Sequence, residues 1–347
     1  MVDKVLAMSS FLQFRSVYDS NVKFSEKMDY PVNYIDLSAE RVQINTSDEL
    51  FKYLKLYIER ETSNCKAALA LSGGIDSAII ASLIPKGSVA YSFKCVVPGK
   101  KVIDETIKAK QYCDINGLEH RIIEIYLEDY EKFVPVLMKH KNAPIHSIEV
   151  QIFKAASHAK KEGFEKLIFG EAADAVFGGH DGLLSKDYHI SEFVDRYSYV
   201  IPYRVLKKNV VITEPFAKWC NDCGYIDVHG FMNNFYFYES VNSYMNACEA
   251  ADIMFKSPFT QLIHPHLDID RIRKGDSKYL VREVFKRLYP DLEIPRKTPM
   301  PRPMDEWFEN WEGPKRPEFW PNCHINMTGD QKFYIWILEK FLKEFHL

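Results

Sequence analysis

Two short stretches of this chain combine residue types that handle phosphate and carboxyl chemistry. The first is Ser72-Gly73-Gly74-Ile75-Asp76-Ser77, set between the apolar run Ala67–Leu71 and the run Ala78–Ala81. Paired glycines let a backbone approach an anion closely and turn successive N–H groups towards it, and a helix opening at Asp76-Ser77 adds the positive end of its dipole. Ser72 and Ser77 bring hydroxyl donors. Asp76 is a carboxylate beside a phosphate cradle and would repel the ligand unless a cation lay between them, which points to Mg²⁺ held partly by Asp76. The second stretch is Gly170-Glu-Ala-Ala-Asp-Ala-Val-Phe-Gly-Gly-His, in which Glu171 and Asp174 precede the closing pair Gly178-Gly179. Acids so placed also serve as helix caps. At the sheet edge that carries the first turn, they could share a metal with it.

Those turns need elements to carry them. Ala67–Leu71 fits a short buried strand feeding the Ser72 turn, and Asp76 onward fits a helix. Thr46-Ser-Asp-Glu caps a helix whose apolar face is Leu50, Tyr53, Leu54 and Tyr57. Further strands are expected at Ser88–Phe93, Arg121–Ile125 and Lys166–Phe169, with helices over 104–116, 127–141 and 148–162. Strands alternating with helices predict an α/β fold, a parallel sheet with helices on both faces and ligands beyond the carboxyl ends of its strands. Residues 1–45, including Phe11-Leu-Gln-Phe-Arg and Tyr30-Pro-Val-Asn-Tyr, read as short strands or an extended lead-in. The α/β core is expected over 46–190 and a mainly helical portion over 191–347.

The totals set bounds. With 347 residues, 46% of them hydrophobic, the chain can bury a full core, and a formal charge of −3 gives no general attraction to nucleic acid. Seven scattered cysteines suit reduced thiols rather than a disulfide framework. The start of the chain lacks a secretory pattern and no stretch has the length of a membrane helix, so a soluble cytoplasmic protein is expected.

SGGIDS is not the Walker pattern, which needs Gly-Lys-Ser/Thr. It resembles the PP-loop of the ATP pyrophosphatases, adenine nucleotide alpha hydrolase-like enzymes that split ATP between the α- and β-phosphates. LSGGIDS followed about a hundred residues on by FGEAADAVFGG is similar to the synthetase domain of the asparagine synthetase family, which includes β-lactam synthetase and whose second motif is usually written SGEGADELFGG. Phe11–Asp19 resembles the lead-in to that domain. Ser257-Pro-Phe-Thr resembles its R-x-PFLD segment, Lys278-Tyr-Leu-Val-Arg its K-x-x-L-R helix, and Arg296-Lys-Thr-Pro-Met-Pro-Arg-Pro-Met-Asp-Glu-Trp its lysine-bearing loop.

The resemblance implies an ATP-dependent amide-forming ligase that adenylates a small-molecule carboxylate and transfers ammonia or an amine to it. Carried over by motif, Ser72, Gly73, Gly74 and Ser77 would hold pyrophosphate, and Asp76 and Asp174 would hold Mg²⁺. Phe93 and Gly170 would lie in the segments enclosing adenine. Lys278 would contact pyrophosphate, Lys297 would reach the α-phosphate and the reacting carbonyl, and Glu171 would act as general base near the nitrogen nucleophile. Lysines are otherwise ordinary surface charges.

The chain departs from the pattern in three ways. Ala172 stands for the usual glycine, Ala175 for glutamate and Thr260 for the aspartate of PFLD. Residue 2 is Val2 and the first cysteine is Cys65, with about 45 residues ahead of the first synthetase helix, so no glutaminase domain with an N-terminal cysteine is expected. The expected nitrogen donors are therefore free ammonia, a separate glutaminase, or an amine in the substrate itself. Rival readings are a lactam-type or sugar-acid or natural-product amide ligase, and a catalytically degenerate nucleotide-binding or scaffold protein. Cys220-Asn-Asp-Cys223 has zinc-like spacing without a second pair, and the aromatics from Phe231 to Tyr238 read first as core packing.

Overall fold

The structure, a computed structural model, describes residues 1–19, 21–28 and 40–347. Tyr30-Pro-Val-Asn-Tyr lies outside these residues.

Near the start of the chain, helix α1 (Lys4–Phe14) replaces the strands or extended lead-in expected there. Asp3 caps it, accepting from Leu6 N–H at 2.8 Å, and every residue from Ala7 to Phe14 is buried. A helix covered on all sides has no apolar stripe for a periodicity to reveal. Helix α2 (Ser47–Ser63) begins with the expected capping box between Thr46 and Glu49 and buries Leu50, Leu54 and Tyr57.

The central sheet has β1 (Ala67–Ala70), β2 (Val89–Cys95), β3 (Glu119–Ile125), β4 (Lys166–Ile168) and β5 (Met254–Lys256), all parallel, in the spatial order β3-β2-β1-β4-β5. Helices α3 (Ile75–Leu83), α4 (Thr106–Asn116), α5 (Leu127–Lys141) and α6 (Glu149–Lys161) connect the first four strands. Along β1 and its continuation, Ala68 and Ala70 enter one hydrophobic core while Leu69 and Leu71 enter another, so the sheet is buried on both faces. β5 was not expected. It is three residues long with Met254 exposed, too short to establish a pattern.

After β1 the chain moves outward to β2 and β3, then returns past β1 to β4. The order therefore reverses between β1 and β4, and the carboxyl ends of these neighbouring strands form the crevice where such sheets bind ligands. Both unusual turns leave the sheet there. The remainder is largely helical: α7 (Ala173–Val176), α8 (Val228–Tyr236), a π-helical turn over Phe237–Val241, α9 (Asn242–Ala250), α10 (Tyr279–Leu288) and α11 (Gly329–Glu344). Phe231 and Phe235 stack in a third core with Phe14, Phe193 and Phe216, the packing role expected of them. No helix among the described residues is long and apolar enough to cross a membrane.

Candidate functional site

Gly74 is the N-cap of α3 and supplies no capping side chain, so the first N–H groups of the helix face outward. The loop ahead of it is held from within. Ser77 Oγ lies 2.9 Å from Ser72 Oγ and accepts from Ser72 N–H at 3.1 Å, while Ser72 Oγ accepts from Gly74 N–H at 3.1 Å. The two serines thus shape the cradle as well as offering it hydroxyls. Gly170, just beyond β4, packs on the start of α3, where an added Cβ would come within 2.9 Å of Asp76 Cβ and 3.0 Å of Ser77 N. A side chain here would push the two turns apart.

The second turn brings its acid to the first. Lys278, buried and in a left-handed conformation (φ 56°) at the head of α10, places Nζ 2.5 Å from both carboxylate oxygens of Asp76 and 3.0 Å from Asp174 Oδ1. Lys297 meets the other oxygen of Asp174, with Nζ 3.1 Å from Asp174 Oδ2 and 2.7 Å from the Gly179 carbonyl. Gly179 is needed for this approach, because a Cβ there would lie 1.9 Å from Asp174 Oδ1. Burial opposes the charge on Lys278, yet Asp174 and Asp76 more than compensate and raise its pKa. Burial also works to raise Asp174, but Lys278 and Lys297 outweigh it and hold this carboxyl well below the usual range. Asp76 goes the other way: burial and then its neighbour Asp174 raise it against the pull of Lys278.

The fit of a divalent cation can be judged from this donor set. Two carboxylates from different turns converge on one cationic centre, and hard oxygen donors of this kind suit Mg²⁺. Among the described residues no group of three or more His, Cys, Asp or Glu could hold a metal. A magnesium ion here would therefore draw its other ligands from phosphate oxygens and water, which is its usual habit. Cys220 is half-buried and Cys223 exposed, and neither belongs to such a group.

Glu171 is held by hydroxyl groups. Its Oε1 accepts from Tyr236 Oη and, at 2.7 Å, from Ser240 Oγ, and Tyr244 is a third hydroxyl partner. Burial raises its pKa, and the three hydroxyls limit the rise by favouring the charged form. These residues lie four apart on consecutive turns. In an unbroken α-helix, eight residues overshoot two turns by about 80°. The wider π-turn between Tyr236 and Tyr244 absorbs much of that offset and keeps them on one side. Ser257 Oγ donates to the Glu171 carbonyl at 2.7 Å, and Thr260 Oγ1 donates to the Ser257 carbonyl at 2.8 Å, so the Ser257–Thr260 segment buttresses the Glu171 turn.

One cavity gathers the expected residues: Ser72, Gly73, Gly74, Asp76, Ser77, Phe93, Gly170, Glu171, Asp174, Lys278 and Lys297 all line it. Sequence reasoning gave no role to several further lining groups. Glu105 accepts from the Gly73 N–H and is raised by burial, and Arg282 stands one turn beyond Lys278. Tyr244 and Met300 also line the cavity. Tyr236 falls within the aromatic run that reads as core packing and Ser240 carries no signal of its own, and the π-turn brings both to Glu171. The substitutions are accommodated. Ala172 adopts φ 74°, where glycine would be unstrained, and Ala175 is buried within α7.

The arrangement suits a polyanion at a helix start, flanked by two acids and two lysines, with the half-buried carboxyl of Glu171 lining the same cavity. An asparagine synthase family model matches residues 59–259 of the chain. The tRNA-specific 2-thiouridylase MnmA 1 of Fusobacterium nucleatum is 35% identical over 92 residues, which make up 25% of this chain and 22% of the relative. The chain thus matches about a fifth of that protein's length. Among solved structures, the NMN synthetase of Francisella tularensis is 13% identical with a TM-score of 0.29, covering 74% of this chain and 99% of its own. The U34-tRNA thiolase NcsA of Methanococcus maripaludis, solved with its [4Fe-4S] cluster, is 15% identical with a TM-score of 0.27, over 71% and 79% of the two chains. The NH3-dependent NAD synthetase of Campylobacter jejuni is 18% identical with a TM-score of 0.26, over 38% and 60%.

Proposed function

The chain belongs to the asparagine synthase family, and from that membership together with the geometry of the cavity we propose that it joins a small-molecule carboxylic acid to a nitrogen nucleophile at the expense of ATP, forming AMP and pyrophosphate. The coarse activity, that of an ATP-utilising synthetase, follows from the family. The observation that carries the finer reading is the meeting of Asp76 and Asp174 on Lys278 beside the open start of α3.

In the first step a carboxylate oxygen of the substrate attacks the α-phosphorus of ATP. The bond from that phosphorus to the bridging oxygen breaks, and pyrophosphate leaves with the electron pair. The open N–H groups at the start of α3, from Ile75 onward, and the Ser72 and Ser77 hydroxyls would hold the leaving group, and Lys278 would offset its charge. Asp76 and Asp174 would hold Mg²⁺, which supplies Lewis-acid neutralisation of phosphate charge when bound. In the second step the nitrogen nucleophile attacks the acyl carbon, its surplus proton passes to Glu171, and the carbon–oxygen bond to AMP breaks. A raised carboxyl pKa suits Glu171 to this task, because it brings the base closer to the pH at which it must accept a proton. Lys297, half-exposed at the cavity, would contact the α-phosphate and the carbonyl oxygen in the two steps.

The test is incubation with ATP, Mg²⁺, ammonium and a panel of acids that includes aspartate and amino-bearing acids. Formation of AMP, pyrophosphate and an amide with one acid supports the reading. Formation of ADP, or ATP binding without turnover for any acid, sinks it and favours the scaffold alternative. A product closed on its own amine would identify the lactam-type variant.

A further inference from the structure

Lys297 is carried by a segment of unusual stiffness. Residues 295–303 contain Pro295, Pro299, Pro301 and Pro303 and no helix or strand. Each proline fixes its own φ and restricts the residue before it to extended conformations. The five residues from Lys297 to Pro301, four steps of about 3.1 Å each, thus behave as a short strut of about 12 Å. A strut transmits the position of its fixed end to its free end.

The fixed end is Pro301. Its carbonyl accepts two hydrogen bonds from outside the segment, from Gln151 Nε2 at 3.1 Å and from the Cys95 thiol at 3.2 Å. Both donors are buried in the sheet core, Gln151 on α6 and Cys95 at the carboxyl end of β2, two residues beyond the cavity-lining Phe93. Gln151 Nε2 also lies 3.4 Å from Tyr130 Oη and 3.5 Å from Cys95 Sγ, while its Oε1 is buried without a hydrogen-bond partner among the described residues. A core amide that leaves its acceptor unsatisfied while donating to a loop carbonyl is poorly explained as packing, since an apolar side chain would fill the space at lower cost.

We propose that Gln151 and Cys95 are positioning residues for Lys297, clamping the Pro301 carbonyl so that the proline strut delivers the lysine to Asp174 and to the reacting phosphate. The proposal rests on the ATP-dependent reading for its kinetic consequence, but the clamp can be tested without turnover. Trypsin cuts after Arg296 and Lys297, so the rate of cleavage in the folded protein reports how firmly the strut is held.

The variants are Gln151→Met, which keeps volume and removes the donor, Cys95→Ala, which also removes one, and Cys95→Ser, which restores one. Gln151→Met and Cys95→Ala should each speed cleavage at residues 296–297 about tenfold while cleavage elsewhere is unchanged, and Cys95→Ser should reverse most of this. Where an accepted acid is found, Gln151→Met should lower kcat for pyrophosphate release roughly tenfold or more with the KM for ATP moved less than about threefold. It should add no further loss in a Lys297→Met background. Unchanged cleavage at the strut, or losses that multiply in the double variant, would overturn the clamp. If no acid supports turnover in the parent protein, the functional reading fails while the cleavage comparison still decides the positioning.

Discussion

Lys278 Nζ lies 2.5 Å from each carboxylate oxygen of Asp76, although 202 residues separate the two in sequence. With Asp174 Oδ1 at 3.0 Å, the same ammonium bridges two acids that come from different turns. The cation that two crowded carboxylates require is thus built into the fold, at the place where the family resemblance puts Mg²⁺. A residue at the head of α10 closes the joint between the phosphate loop on α3 and the turn after β4.

Removing that ammonium should expose the repulsion it masks. Lys278→Met leaves the half-buried Asp76 and Asp174 without their shared partner and is expected to cost about 1–3 kcal/mol of stability. Millimolar Mg²⁺ should recover part of the loss, read as a rise in Tm larger than that of the parent protein. No Mg²⁺ response in the variant would remove the divalent cation from this site.

Tyr236→Phe deletes one hydroxyl from Glu171 and keeps the ring. The lost hydrogen bond favoured the carboxylate, so the Glu171 pKa should rise further and the limb of the pH–rate profile on which activity appears should move to higher pH. The amide-forming step should slow about tenfold or more at neutral pH. An unshifted profile would argue that Glu171 is not the base.

Much of this arrangement is legible from residue patterns, because strand and helix alternation fixed the sheet and the two glycine-containing turns named its edge. Ser72, Asp76, Asp174, Lys278 and Lys297 were all marked by motif, and all line one cavity. What escaped notice depends on long-range geometry. Tyr236 and Ser240 sit in a helix dense with aromatics, and only a π-turn, which has no local signature, aims them at Glu171. Glu105 looks like an ordinary acid at a helix start until α4 packs beside the phosphate loop. α1 shows no stripe because all its faces are covered, and β5 is too brief to alternate.

Ala172 holds φ 74° in the turn that carries Glu171, a conformation that costs an L side chain on the order of 1 kcal/mol. Ala172→Gly relieves the strain but loosens the unfolded chain, so a net gain of about 0.5 kcal/mol is expected by denaturant unfolding. A loss of stability would mean that the methyl group packs better than the strain costs.

His146 should make the fold acid-sensitive. It is buried, and burial followed by the nearby Arg15, Arg302 and Lys141 depresses its pKa well below 6.5, although Glu239 Oε1 lies 3.6 Å away. Below pH 6.5 the unfolded chain binds a proton that the folded chain refuses, so stability falls with pH by up to about 1.4 kcal/mol per unit. Glu239, itself raised by burial, titrates in both proteins, so the difference between parent and His146→Gln isolates the imidazole. The variant should show a flatter stability curve between pH 6.5 and 5, and identical slopes would contradict this.

The central claim is acid-dependent attack on the α-phosphorus of ATP, and isotope exchange between pyrophosphate and ATP tests it before any nitrogen donor is needed. With Mg²⁺ and the accepted carboxylic acid present, labelled pyrophosphate should enter ATP. The exchange should vanish without the acid and in Asp76→Ala and Asp174→Ala. Exchange that ignores the acid, survives loss of both aspartates, or is replaced by release of ADP would contradict the account.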